Sequence, residues 1–154
     1  MPITNAVMRI SPIGIIHTPF KLKEETPIQP FKSTKIGQVE VYKKFAPGLQ
    51  DITGFSHVIL IYQFHKSKSY KLIVKPFLDS RYHGLFATRY PARPNQIGIS
   101  VVRLLRQEKN VLFVKGIDVL DGTPLLDIKP YVLVFDTAEK VKIGWLGCKQ
   151  KERI

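Results

Sequence analysis

Apolar residues in this chain recur at short, strand-like intervals and seldom at helical ones. Ile10, Ile13, Ile15 and Ile16 mark a strand over residues 8–20, interrupted by Pro12 and Gly14 and ended by Thr18-Pro19. Val39 and Val41 alternate with Gln38 and Glu40, which predicts a second strand over 37–42. Residues 55–64 (FSHVILIYQF) are nearly all apolar, as expected of a strand buried on both faces. Weaker strand patterns follow at 70–76 and 84–88. Stronger ones lie at 97–105 and 111–119, joined by a turn over 107–110. Residues 128–135 and 141–145 complete the predicted strands. Leu49 and Ile52, three apart, fit one or two helical turns over 45–52.

Many short strands, few helical patterns and frequent Gly and Pro turns predict an all-β, mainly β fold. A single compact β-barrel with short helical turns is favoured over a sandwich, because closure removes exposed strand edges. No Gly-rich turn joins a strand to a helix, so a Rossmann architecture is not expected. One domain over residues 1–154 is expected, with its core at 10–135 and a basic tail at 138–154.

Charge narrows the class of partner. Twenty-four Lys and Arg against twelve Asp and Glu give a net charge of +12. Such a field draws polyanions, and nucleic acid is the sharper reading against a merely solvated basic surface. A membrane surface is disfavoured because no basic amphipathic helix accompanies the charge. The longest apolar runs, 58–62 and 132–135, are far too short to span a bilayer. No signal-peptide pattern opens the chain, and Cys148 is its single cysteine. A cytoplasmic location is therefore expected.

Two clusters could carry chemistry. Residues 88–100, T-R-Y-P-A-R-P-N-Q-I-G-I-S, place Arg89 and Arg93 on a proline-stiffened loop that feeds an apolar strand. Guanidinium groups held in place beforehand lower the ordering cost of binding. A solvated surface loop is the plainer alternative. Residues 116–131 then carry Asp118, Asp121 and Asp127, with Lys129 and Tyr131 after them. Asp118 ends an apolar strand, where a carboxylate needs a partner. Asp121-Gly122 reads equally as a tight turn. No ligand spacing for a metal accompanies these acids, so no metal is expected. Of the histidines, His17 and His57 read as packed strand residues, whereas His65 stands where the chain leaves its most apolar strand.

Taken together, F-A-T-R-x-P-x-R-P-N-x-I-G-x-S and D-x-x-D-G-T-P-x-x-D-I-K-P-Y resemble the TrmO, or TsaA-like, family. The likeness extends from I-G-x-I-x-T-P-F (residues 13–20) to Lys129-Pro130-Tyr131. It implies a single β-barrel that forms homodimers. The implied activity is S-adenosylmethionine-dependent methylation of the exocyclic nitrogen of threonylcarbamoyladenosine, in the anticodon arm of tRNA. The implied cofactor contacts are Pro27, Ile28, Gln29, His65, Lys66, Arg89, Ile99, Lys115, Gly116, Ile117 and Asp118. Asp121 is the expected general base, with Asn95 and Tyr131 orienting the acceptor base. Three departures stand out. Gln96 replaces a second proline, Lys66 follows His65 where bacterial relatives often carry Gln, and the chain ends soon after the second motif. Lys140, Lys142, Lys149, Lys151 and Arg153 read as a phosphate-contacting tail or, equally, as a frayed solvated terminus. The competing reading is a non-catalytic RNA-binding barrel. It calls for aromatics along a basic sheet face, whereas those of residues 55–64 look buried.

Overall fold

A computed structural model describes residues 6–21 and 34–147. Among the described residues eight strands are formed: β1 (Gly14–His17), β2 (Ile36–Val41), β3 (His57–Gln63), β4 (Ile73–Val74), β5 (His83–Gly84), β6 (Ile97–Glu108), β7 (Val111–Lys115) and β8 (Thr123–Pro130). Six of them close a barrel in the order β1-β2-β7-β6-β3-β8, every neighbouring pair antiparallel. The expected all-β barrel is therefore present. The remaining two, β4 and β5, form a separate two-stranded ribbon.

Alternation decides which side chains fill the barrel. On β3, Val58, Leu60 and Tyr62 point inward, while His57, Ile59 and Ile61 stay partly exposed. This corrects the expectation of a strand buried on both faces: a closed barrel has only one interior. Inward residues of the other strands, among them Ile16, Val39, Leu112, Val114 and Leu125, join that core at 0% exposure. Each such side chain contributes about 1.5–3 kcal/mol of burial free energy.

Several predicted bounds are corrected. The first strand is confined to Gly14–His17, which pairs β2 on one side and β8 on the other. Gly14 is required at this crossing, because a Cβ there would overlap the carbonyl oxygen of Glu40. The last barrel strand is Thr123–Pro130 rather than 128–135; residues Leu133–Asp136 form one helical turn instead. Residues 141–145 form no strand, and Gly144–Leu146 make a short 3-10 turn. The helical turns expected over 45–52 are 3-10 turns at Lys43–Leu49 and Ile52–Gly54. Residues 84–88 likewise coil into a 3-10 turn, Leu85–Ala87, directly after β5.

Candidate active site

Strand β6 is twelve residues long and its inward positions grow along the strand: Gly98, Ser100, Val102, Leu104. The small end leaves room for the ring of Tyr62, which pairs with Gly98 across β3 and β6. A Cβ on Gly98 would lie 2.6 Å from Phe64 Cζ and closer still to Tyr62 Cε2. Strand β7 stops at Lys115, opposite Arg103, so β6 runs on beyond it toward Ile97. Into the space left beside β6 the chain turns at Gly116, whose φ of 90° suits glycine. Ile117 then enters the core and Asp118 reaches Ser100.

The Ser100 hydroxyl donates to Asp118 Oδ1 at 2.6 Å. Because its single proton is used there, the Tyr62 hydroxyl donates to Ser100 Oγ, at 2.8 Å. A relay Tyr62→Ser100→Asp118 thus lies inside one end of the barrel. Burial pushes the Asp118 carboxyl up to about 6, opposed by the Ser100 hydrogen bond and the positive charge of Arg89. Burial, and then the Asp118 charge, hold the Tyr62 phenol well above its ordinary value, so it remains a neutral donor. Arg89 is in electrostatic range of both groups. Its loop is braced by Arg93, whose Nη1 donates to the carbonyls of Thr88 and Tyr90, each at 3.0 Å. Arg93 is therefore turned into its own loop, while Arg89 is exposed.

Asp121 is engaged elsewhere. Its Oδ1 accepts from the Thr18 amide at 2.9 Å, and its Oδ2 meets Lys21 Nζ at 2.5 Å. The lysine holds the Asp121 carboxyl below the ordinary range, with the Thr18 amide assisting. These residues, together with His17, Ile36 and Gln38, line a cavity of about 340 Å³. Asn95 lines a second cavity, of about 260 Å³, with Gln63, Gln96 and Leu126. Tyr131 lies near neither: its amide donates to the His57 carbonyl at 3.1 Å, and its ring meets the His57 ring edge-on at 6.3 Å. His57 and Gln63 are the two ends of β3, so Asn95 and Tyr131 are separated by about 20 Å of strand.

Among the expected cofactor contacts, Arg89 lies within electrostatic range of Asp118. Gly116 makes the turn that delivers Asp118. Ile117 has 0% exposure, so it packs in the core and presents nothing to solvent. Ile99 faces outward at 51%, on the opposite side of β6 from Ser100. Lys115 is exposed at the end of β7, paired with Ile36 of the Asp121 cavity wall. His65 follows β3, its imidazole pKa lowered by burial and by the charge of Lys66. Pro27, Ile28 and Gln29 lie outside the described residues, as do Cys148, Lys149, Lys151 and Arg153. Sequence reasoning assigned no role to Tyr62 or Ser100. The available signal was period-two patterning, which turns Ser100 inward between Gly98 and Val102 as an isolated polar core residue. Among the described residues, no three His, Cys, Asp or Glu side chains are grouped to hold a metal ion. No helix there is long and apolar enough to cross a membrane.

A family model for the tRNA-methyltransferase O N-terminal domain matches residues 15–137. A probable S-adenosyl-L-methionine-binding protein of Pyrococcus abyssi is 57% identical over 136 residues, 88% of this chain and 74% of that protein. A tRNA (adenine(37)-N6)-methyltransferase of Homo sapiens is 33% identical over 138 residues, 84% of this chain and 31% of the enzyme. The crystal structure of TrmO from Pseudomonas aeruginosa has a TM-score of 0.77 at 39% identity, covering 90% of this chain and 62% of that one. The chain thus spans under two thirds of the Pseudomonas structure and about a third of the human enzyme.

Proposed function

Since the chain belongs to the tRNA-methyltransferase O family, we propose that it is an S-adenosylmethionine-dependent methyltransferase acting on the N6 nitrogen of a tRNA adenine. The substrate is threonylcarbamoyladenosine beside the anticodon, reached in the cytoplasm. The observation that carries this reading is the Asp118 carboxylate, positioned by Ser100 and Tyr62, with exposed Arg89 within electrostatic range of it. This donor set fits the cofactor. Arg89 suits its carboxylate, and Asp118 suits its ribose hydroxyls or its positive charge.

When bound, the cofactor supplies an electrophilic methyl group. The chain's own contribution is positioning: the Arg93 brace and the Ser100 hydrogen bond hold Arg89 and Asp118 in place before binding, which reduces what must be ordered. Asp121 is better suited to anchoring than to proton abstraction. Both of its oxygens are occupied, and a carboxylate held low by lysine is a weak base.

The same reading includes a homodimer. Neither cavity is lined by Arg89 or Asp118, and Asn95 is far from Tyr131 within one chain. A second copy can complete the site. The outward face of β6 offers it an apolar row of Ile97, Ile99 and Val101, each 39–51% exposed, with Arg103 next along the strand. The direct test is mass spectrometry of tRNA nucleosides after incubation with the protein and isotopically labelled cofactor. Labelled methyl on threonylcarbamoyladenosine supports the full reading. Label on unmodified adenine narrows the activity, and no label with protein that binds tRNA favours the non-catalytic RNA-binding alternative.

A further inference from the structure

The aromatic residues are not where their runs suggested. Of residues 55–64 only Tyr62 is buried among the aromatics, whereas Phe77, Tyr82 and Phe86 are 79%, 70% and 75% exposed. All three belong to the ribbon lobe of β4 and β5. Val74 and Pro76 are buried beneath it, so Ile73, Lys75 and Phe77 alternate onto its outer face. The register Ile73↔Gly84 and Val74↔His83, continued by one residue, sets Tyr82 opposite Lys75 on that same face. Phe86 follows in the short turn after β5, with the Arg93 guanidinium 5.9 Å from its ring centre. The face therefore leads into the loop that carries Arg89.

Its charge is one-signed. Residues 66–93 hold seven Lys and Arg against the single acid Asp79. That acid is turned inward: it accepts from the Ser80 amide at 2.7 Å and from His83 Nε2 at 2.9 Å. The histidine hydrogen bond holds the Asp79 carboxyl well below the usual carboxylate range. The His83 ring stacks on Trp145 at 4.4 Å, and Trp145 Nε1 donates to the Ala87 carbonyl at 2.8 Å. The lobe is thus pinned from beneath while its rings stand in solvent.

We propose that the outer face of this lobe is a stacking platform for unpaired RNA bases. Phe77, Tyr82 and Phe86 are the rings, and Lys71 and Lys75 are the phosphate contacts. Exposed rings interleaved with cations are the chemistry by which proteins hold single strands. A second copy of the chain is a poorer occupant, because a two-fold contact would set this positive face against its own image. The inference rests on the RNA reading above and adds to it the place where the loop bases are held.

Binding of a synthetic anticodon stem–loop, and of a duplex of matched composition, is measured by fluorescence anisotropy across a salt series. Wild-type protein should prefer the stem–loop. Phe77→Ala, Tyr82→Ala and Phe86→Ala should each weaken stem–loop binding on the order of ten-fold without changing the salt slope. Tyr82→Phe should retain affinity. Lys71→Ala with Lys75→Ala should instead flatten the slope by roughly 0.7 per lysine. The three rings are exposed, so unchanged melting temperatures verify folding. Stem–loop affinity unaltered in the triple alanine variant overturns the platform while leaving the RNA reading intact. A triple variant that loses self-association and keeps RNA affinity reassigns the face to a protein contact. Wild-type protein that binds no RNA overturns both readings together.

Discussion

Asp118 and Asp121 are three residues apart, yet their surroundings drive their acidities in opposite directions. Asp118 titrates at about 6 in the folded chain, against roughly 3.9 when unfolded. Between those values the folded state binds the extra proton, so stability falls as pH rises from about 4 to 6 and then levels. Asp118→Asn should remove this slope and raise stability at pH 8 by about 3 kcal/mol, as read by urea denaturation at a series of pH values. The same substitution should weaken binding of S-adenosylhomocysteine. Asp121→Asn is expected to behave as the loss of an anchor between the start of the chain and β8. Melting should fall modestly, while single-turnover methylation stays within about ten-fold of wild type. A loss of two to four powers of ten would make Asp121 the general base after all.

The proline-rich loop and β6 form one working unit. Stiffness in residues 88–95 was legible from Pro91 and Pro94, but the division of labour between the arginines was not. Arg93 spends its donors on Thr88 and Tyr90, which leaves Arg89 presented. Arg93→Ala should therefore weaken S-adenosylhomocysteine binding measured by calorimetry, although Arg93 is assigned no ligand contact. Affinity equal to wild type would show that the prolines alone position Arg89. Gly98 is equally particular. Gly98→Ala should destabilise the fold by about 1–3 kcal/mol, since the rings of Tyr62 and Phe64 must yield to the new methyl group. The first part of strand β8 escaped sequence reading, which began that strand at Ile128, because Pro124 and Asp127 are poor strand formers. Pairing with β1 on one side and β3 on the other overrides that preference.

For the whole molecule, the proposed cofactor binding and assembly can be read separately from the RNA. S-adenosylhomocysteine at a hundred times its dissociation constant should stabilise the protein by roughly 2.7 kcal/mol, and a thermal melt in EDTA should retain that shift. Light scattering should report twice the mass of the 154-residue chain. Val101→Glu on the outward face of β6 should reduce that mass while leaving the barrel folded. A monomeric wild type would remove the shared-site reading, and Asn95 and Tyr131 would then act in different places.

What the sequence by itself determined was local: strand periodicity, Gly and Pro punctuation, the excess of positive charge, and two motifs that identify the family. These depend on neighbours a few residues apart, which a pattern along the chain can express. Tertiary structure alone decided the rest. Ser100 and Asp118 are eighteen residues apart and Tyr62 is thirty-eight from Ser100, so their relay exists only because β3, β6 and the end of β7 are neighbours in a closed barrel. The same closure separated Asn95 from Tyr131 by the length of β3. It also turned Ser100 inward and Ile99 outward, because successive residues of a barrel strand face the core and the solvent in turn.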